Sequence, residues 1–529
     1  MRRNIVKFSK CIFAVELVAM LRGLSLLFGF ACALQCQAFA AEIEVKEPSA
    51  LVATLLAAKA GDKLILPPGI YGELNLDGAK DGRLVFPNPV SIVGLDKSNP
   101  PAFKKISLRS VSNLVFSGIA VRHPWHEGDP LELRAFSIDK SSNVTLEDSV
   151  LQGDVISGGG NEVDGFASGS AIGVADSDHI KIVGNKIFTW HRGGIFGVTN
   201  DLEVSNNELY DLSSDGLDFA EITNAVIAHN HVHDLSRSAE SKAHPDMIQF
   251  WTASTHKPSE NIEIKDNFLD QGNGAWSQSI FIRNELVDTS QAGLEMYYRN
   301  FRITGNVIRN AHIHGITVGE IDGLDISHNT LLQTIGSKLG GNVSVPMINV
   351  SKSAKRVNVT YNIFPRTSVT LLKPLPGWVI GFNVVAQRDL PGRPDYYSQV
   401  FLNALAKGKL SLADLQLLPD SAAAKGGQGA ELNKFQTRPR SNMFYFTNDR
   451  DSVSGDIEKF DAKHVFGPSG PINAEDAKVE WDFGDGSIGQ GVAARHSYAE
   501  LGDYEVKAKM TLGTGQTLLA NRTIHVGVN

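Results

Sequence analysis

The sequence predicts an all-β chain: a long coil of short parallel strands, followed by a last part of different texture. Three observations carry this. A template of two or three alternating apolar residues, an Asn and a further apolar pair recurs eight or nine times between Asn143 and Phe364. In the plain cases its Asn residues stand 22 or 23 apart, from 185 to 207, 207 to 230 and 306 to 329. Gly is plentiful (50) and aromatic residues are only 8%, which suits turn-rich β structure better than helices.

The first forty residues read as an export signal. Arg2, Arg3, Lys7, Lys10 and Arg22 precede the apolar run Leu24 to Leu34, and Ala38-Phe39-Ala40 offers a small-residue cleavage site. Met20 is an alternative start that would give a shorter leader. All three cysteines (Cys11, Cys32 and Cys36) fall in this stretch, so disulfides and thiol chemistry are not expected after it. No later run is apolar and long enough to span a membrane, and a periplasmic or secreted protein is expected. The net charge of -8 argues against nucleic acid as a partner. It leaves an anionic polysaccharide open, because only the binding groove needs local positive charge.

Residues 49–59 have helical apolar spacing and stop before Gly61; Lys63-Leu-Ile-Leu and the turn Pro68-Gly-Ile-Tyr71 follow. A short helix and strand here would cover the open edge of the first coil. Within the repeats, each Asn is expected to take the left-handed turn conformation and to hydrogen-bond the Asn one coil away. The longer Asn steps, 37 from 230 to 267 and 39 from 267 to 306, are one coil plus an insertion. Five hundred and twenty-nine residues exceed one compact core, so two or three domains are expected.

This pattern resembles the right-handed parallel β-helix of pectate lyases, alginate lyases and C5-epimerases, polygalacturonases and phage tailspikes. The likeness covers roughly residues 45–425 and implies a fold, not a chemistry. Further on, Val479-Glu-Trp-Asp-Phe-Gly-Asp-Gly-Ser, His496-Ser-Tyr and Gly502-Asp-Tyr-Glu-Val resemble a PKD domain, a small immunoglobulin-like β-sandwich. Trp481 and Tyr504 then belong to its core, and Asp482 and Asp485 to a turn. The expected division is 1–40 signal peptide, 41–433 β-helix with its cap helix, 434–454 linker and 455–529 PKD-like domain. A monomer is expected.

Four apolar segments carry polar residues where a buried strand wants none: Asp215 to Ala220, Pro245 to Trp251, Ser279 to Asn284 and His314 to Gly319. Aligned on Ile195, Leu217, Met247, Ile280 and Ile316, they place Asp218, Asp246 and Arg283 on one outer face. Insertions bring His233, Arg237, Lys242, His244, Trp276 and Glu285 to the same area, beside His191, Arg192, His312 and His314. Gln249 is included as a substrate-binding candidate, although it and Asp215 have the better claim to an inward or turn position. A lone His is most often a satisfied surface or core group; five histidines converging with two aspartates and an arginine are harder to dismiss.

Three functions compete. The first is cleavage of a uronate polysaccharide by β-elimination, or its C5 epimerisation. There Arg283 would neutralise the carboxylate and His244 would be the base, while Asp215, Asp218 and Asp246 would hold Ca²⁺ or position sugar. The second is a glycoside hydrolase using Asp218 and Asp246 as acid and base. Asp215-Gly-Leu-Asp218 resembles the DGxD stretch of polygalacturonases, but that family's Asp-Asp pair and Arg-Ile-Lys segment are missing here. The DPH signature of alginate epimerases is also absent, since His244-Pro-Asp is a different order. The third is a non-catalytic polysaccharide-binding protein, expected to show aromatic platforms rather than titratable groups. Fold-level analogy favours a lyase acting on an acidic polysaccharide.

Overall fold

The computed structural model describes residues 40–526, apart from 127–128, 131, 159–164, 238–243, 335–343, 406–409, 433–442, 451–456, 468–469 and 472–475. The expected leader therefore lies outside the described residues. No helix among them is long and apolar enough to cross a membrane.

The repeats fold as a right-handed parallel β-helix. Thirty described strands pair in one continuous parallel sheet, in which each strand meets its counterpart one coil before and one coil after. Alternation builds the core, as in Glu260–Lys265, where Ile262 and Ile264 point inward and their neighbours face out. Phe196, Phe219 and Phe250 stack inside on successive coils, with ring centroids 5.1 and 4.8 Å apart. Burial of each such ring contributes roughly 1.5–3 kcal/mol. The amino end is closed by the helix Leu51–Ala57, which buries Leu51 and Leu55, and the coil ends at Val379–Gly381 and Val384–Val385.

The repeating Asn forms a ladder, buried from Asn185 to Asn362, in which Asn185, Asn207, Asn230, Asn267, Asn306, Asn329, Asn362 and the half-buried Asn383 bond side chain to side chain. One expectation needs correcting. The left-handed residue is the one before each ladder Asn: Asn206, His229, Asp266, His328, Tyr361 and Phe382 have φ of 53–58°. That residue turns the corner, and the Asn after it is thereby aimed inward. A second Asn ladder (Asn200, Asn224, Asn261, Asn300) runs along the outside, and three of its members (Asn224, Asn261 and Asn300) are themselves left-handed.

The last part is a sandwich of two four-stranded antiparallel sheets around Phe446, Phe460, Trp481, Val506 and Met510. Trp481 is buried and donates Nε1–H to the carbonyl of Gly491 at 2.7 Å; Tyr504 packs partly buried against the core. Asp482 accepts from the Gly484 amide and Asp485 from that of Ser487, both within a turn. The strand Met443–Arg450 lies in the stretch expected as linker. It belongs to the sandwich because Phe444 and Phe446 alternate into its core.

Candidate functional site

One outer face of the helix carries the polar residues. Leu217 pairs with Gly194 on one side and Ile248 on the other. This register differs from the alignment on Ile195 and Met247, and it makes the outward column Ile195, Asp218, Gln249, Phe281, Thr317 and Asn349. Asp215 and Asp246 sit at the corners where two successive strands begin. Gly216 is required between Asp215 and Leu217, because a Cβ there would fall 2.3 Å from the carbonyl oxygen of Met247.

Arg192 stands at the centre, at the start of the preceding strand. Its Nε donates to Asp215 Oδ2 at 3.0 Å and lies 3.2 Å from Asp218 Oδ2. The other oxygen of Asp215 accepts the backbone N–H of Asp246 at 2.9 Å. Asp246 Oδ2 in turn accepts from Gln249 Nε2 at 2.7 Å, with His244 Nδ1 3.9 Å away. Hydrogen bonds thus run from Arg192 through Asp215 to Asp246 and Gln249, with His244 beside Asp246 at a distance too long for one.

Burial sets the charge states. It pushes the Asp218 carboxyl well above its usual range; the negative charge of Asp215 adds to this and Arg192 opposes it. Asp246 is raised in the same way, by burial and then by Asp215 and Asp218. One oxygen of each, Asp218 Oδ1 and Asp246 Oδ1, is buried without a hydrogen-bond partner, as suits a carboxyl that keeps its proton.

A histidine group adjoins His244. His312 stacks on Trp276 with centroids 4.9 Å apart, and the Arg237 guanidinium lies 4.4 Å from the centroid of the same indole. His314 contacts Thr317 Oγ1 through Nδ1 at 2.8 Å. Burial, then the charges of His314, His244 and Arg237, lower the His312 pKa to about 4. His314 is lowered by burial and by His244. On the opposite side His191 meets Ser213 Oγ at 3.0 Å, its pKa lowered by burial and by Arg192.

The structure thus brings together Arg192, Asp215, Asp218, Asp246, Gln249 and His244, with His191, His312, His314 and Trp276 around them. Arg283 stands apart and binds Asp288 at 3.0 Å. Asp246 pairs with Gln278, so Arg283 is five residues further along, about 17 Å at strand rise. Glu285 begins the helix Glu285–Asp288 and fastens it, accepting from the Thr252 backbone N–H at 2.8 Å. Lys242 lies outside the described residues. The central place of Arg192 did carry a signal: it precedes Asp215 by 23 residues, one plain coil of the repeat. Ser213, under His191, is a further site residue with the same kind of spacing, 22.

The three aspartates are also the expected Ca²⁺ ligands. Ca²⁺ takes six to eight oxygens, whereas here a guanidinium bridges Asp215 and Asp218 and a backbone N–H occupies the other oxygen of Asp215. The set fits an arginine and not a Ca²⁺.

Comparison with known proteins places residues 170–337 in a match to the family model described as right handed beta helix region, and residues 445–527 in a match to the PKD domain. Among solved structures the chain is similar to the PKD1 domain of Vibrio anguillarum Epp, at 24% identity over 17% of this chain and 100% of that one (TM-score 0.14). It is similar to an alginate lyase from Paenibacillus sp. str. FPU-7, at 12% identity over 59% and 97% of the two chains (TM-score 0.34). It is also similar to the Dettilon tailspike protein, at 12% identity over 90% and 87% (TM-score 0.41). No curated protein matches the chain.

Proposed function

We propose that the chain is a polysaccharide lyase that cleaves a uronate-containing polysaccharide by β-elimination, with Arg192 binding the carboxylate and His244 acting as base. One observation carries this reading. The side chains of Arg192 and His244 are 39% and 60% exposed, whereas those of Asp215, Asp218 and Asp246 are 7%, 2% and 0% exposed. A ligand in the groove meets a cation and an imidazole, and the carboxyls lie beneath them.

That surface suits elimination. The C5–H bond of a uronate becomes acidic only when the adjacent carboxylate is neutralised. Arg192 gives its Nε to the aspartates, which leaves its two terminal nitrogens for bidentate contact with a carboxylate. His244 takes the C5 proton, the C4–O bond breaks, and its electrons leave with the glycosidic oxygen as C4=C5 forms. The oxygen recovers a proton from the His244 imidazolium or from water. Asp215 and Asp218 hold Arg192 in place, and Asp246 lies 3.9 Å from His244 Nδ1.

The hydrolase alternative would need Asp218 and Asp246 on the glycosidic oxygen, and their burial disfavours it. The deciding experiment incubates the protein with alginate, pectate, glucuronan and glycosaminoglycans and follows the ultraviolet absorbance of unsaturated uronates. New reducing ends without absorbance would overturn the lyase reading in favour of a hydrolase. Silence in both assays would leave an epimerase or a binding protein.

A further inference from the structure

A second cluster, on other strands of the helix, has no part in the groove, although the sequence places one member, His233, there. Strands Glu208–Tyr210 and His231–His233 are neighbours, with Glu208 opposite His231 and Tyr210 opposite His233. His231 and His233 are two residues apart and so face the same way, with Val232 buried between them. Their rings lie 4.2 Å apart. Glu208 and the two imidazoles each offer one donor atom, and the three atoms lie within 4.8 Å of one another.

We propose that Glu208, His231 and His233 bind a divalent transition ion of the Zn²⁺ type, joining two successive coils. Two independent features separate this from a packed ring stack. His233 is only 6% exposed, and its Nδ1 lies 2.6 Å from Asp234 Oδ2. That bond fixes the tautomer with the proton on Nδ1 and turns the Nε2 lone pair toward Glu208, the carboxylate–histidine arrangement that supports metal ligands. His233 Nε2 is buried without a hydrogen-bond partner. Its 3.6 Å separation from Glu208 Oε1 is too long for a hydrogen bond. It is close to the spacing of about 3.3 Å between two ligands of a tetrahedral ion with bonds near 2.0–2.1 Å.

Two imidazoles and one carboxylate select Zn²⁺ or Co²⁺ over Ca²⁺ or Mg²⁺, which prefer all-oxygen sets. A fourth position stays open for water. Lys186 also faces the cluster, its Nζ 3.2 Å from Glu208 Oε2, and it would have to yield that oxygen or share the carboxylate.

The test uses the purified full chain without a histidine tag, stripped with a chelator and titrated with Co²⁺ by visible absorption and with Zn²⁺ by calorimetry. About one equivalent of Zn²⁺ is expected, with the strong visible bands of tetrahedral Co²⁺ and a higher Tm in the metal-bound form. Glu208→Gln and His233→Gln should each weaken binding tenfold or more, and Asp234→Asn by roughly 10–100-fold, the usual range for such partners. Lys186→Ala should tighten it. His179→Gln, in the exposed cluster Asp178, His179 and Asp201, should leave it unchanged. Absent binding, binding indifferent to Glu208→Gln, or binding lost in His179→Gln would overturn the proposal. Should His233→Gln fail to fold, Glu208→Gln decides alone, since Glu208 is only partly buried.

Discussion

Replacing Asn267 by Ala tests what holds successive coils in register. Its side chain is fully buried and makes four hydrogen bonds. Nδ2 donates to Ile227 O and to Asn306 Oδ1, each at 2.9 Å. Oδ1 accepts from the backbone N–H of Asn230 at 2.9 Å and from Asn230 Nδ2 at 3.0 Å. In the variant, Asn306 Oδ1 keeps the backbone N–H of Asn267, and Asn230 Nδ2 keeps Val204 O. The buried N–H of Asn230 loses its acceptor, which costs about 1–3 kcal/mol; the other bonds are worth roughly 0.5–1.5 kcal/mol each. The sum is about 2.5–7.5 kcal/mol. Asn261→Ala on the outer ladder is the control. Its bonds to Asn224 and Asn300 are exposed and are replaced by water. What remains is the cost of placing Ala at φ 58°, about 1–2 kcal/mol. Urea unfolding of the two variants, followed by far-ultraviolet circular dichroism, should show a clearly lower midpoint for Asn267→Ala than for Asn261→Ala. Equal midpoints would refute the idea that the buried ladder carries the register.

Three further outcomes follow from the groove. Arg192→Lys keeps the charge but loses the Nε bridge to Asp215 and Asp218, and turnover should fall by about 10²–10³-fold; Arg283→Ala should change it by only a few fold, and a reversed ranking in steady-state rates would return the anion site to Arg283. Asp246 has a folded pKa above its unfolded value near 3.8, so the native state keeps a proton that the unfolded chain releases, and stability falls as pH rises through that interval. Asp246→Asn should therefore gain in Tm over the parent as pH is raised from 5 to 8, and a pH-independent difference would contradict the buried proton. His312 should titrate near pH 4 in an NMR titration, and a midpoint near 6.5 would show that it is not buried beside Trp276 and His314.

The fold was legible because the repeat is written twice, in alternating apolar residues and in Asn at coil spacing. The phase of that repeat was less legible. Gly193-Gly194-Ile195 and Met247-Ile248 each offer more than one residue able to point inward, so alternation alone does not choose among them. The pairing of Leu217 with Gly194 and Ile248 depends on where a corner begins, and the long insertion before Asp246 hides that. The same corner effect moved the left-handed position one residue ahead of each ladder Asn. In the site, residue type identified Asp218, Asp246 and His244, but not which groups reach solvent. The exchange of Arg283 for Arg192 follows from distance along the strand, which composition does not contain. Sequence position assigns His233 to the groove; its grouping with Glu208 and His231 lies on two coils and follows only from the register of neighbouring strands.

The central claim, elimination by Arg192 and His244 above buried carboxyls, is tested most directly by ultraviolet absorbance on uronate polysaccharides with the parent protein, Arg192→Ala and His244→Ala side by side. A rising signal from the parent that both variants abolish, with their folds intact by circular dichroism, is the result expected. New reducing ends without absorbance, lost instead in Asp218→Asn and Asp246→Asn, would contradict it and place the chemistry on the aspartates.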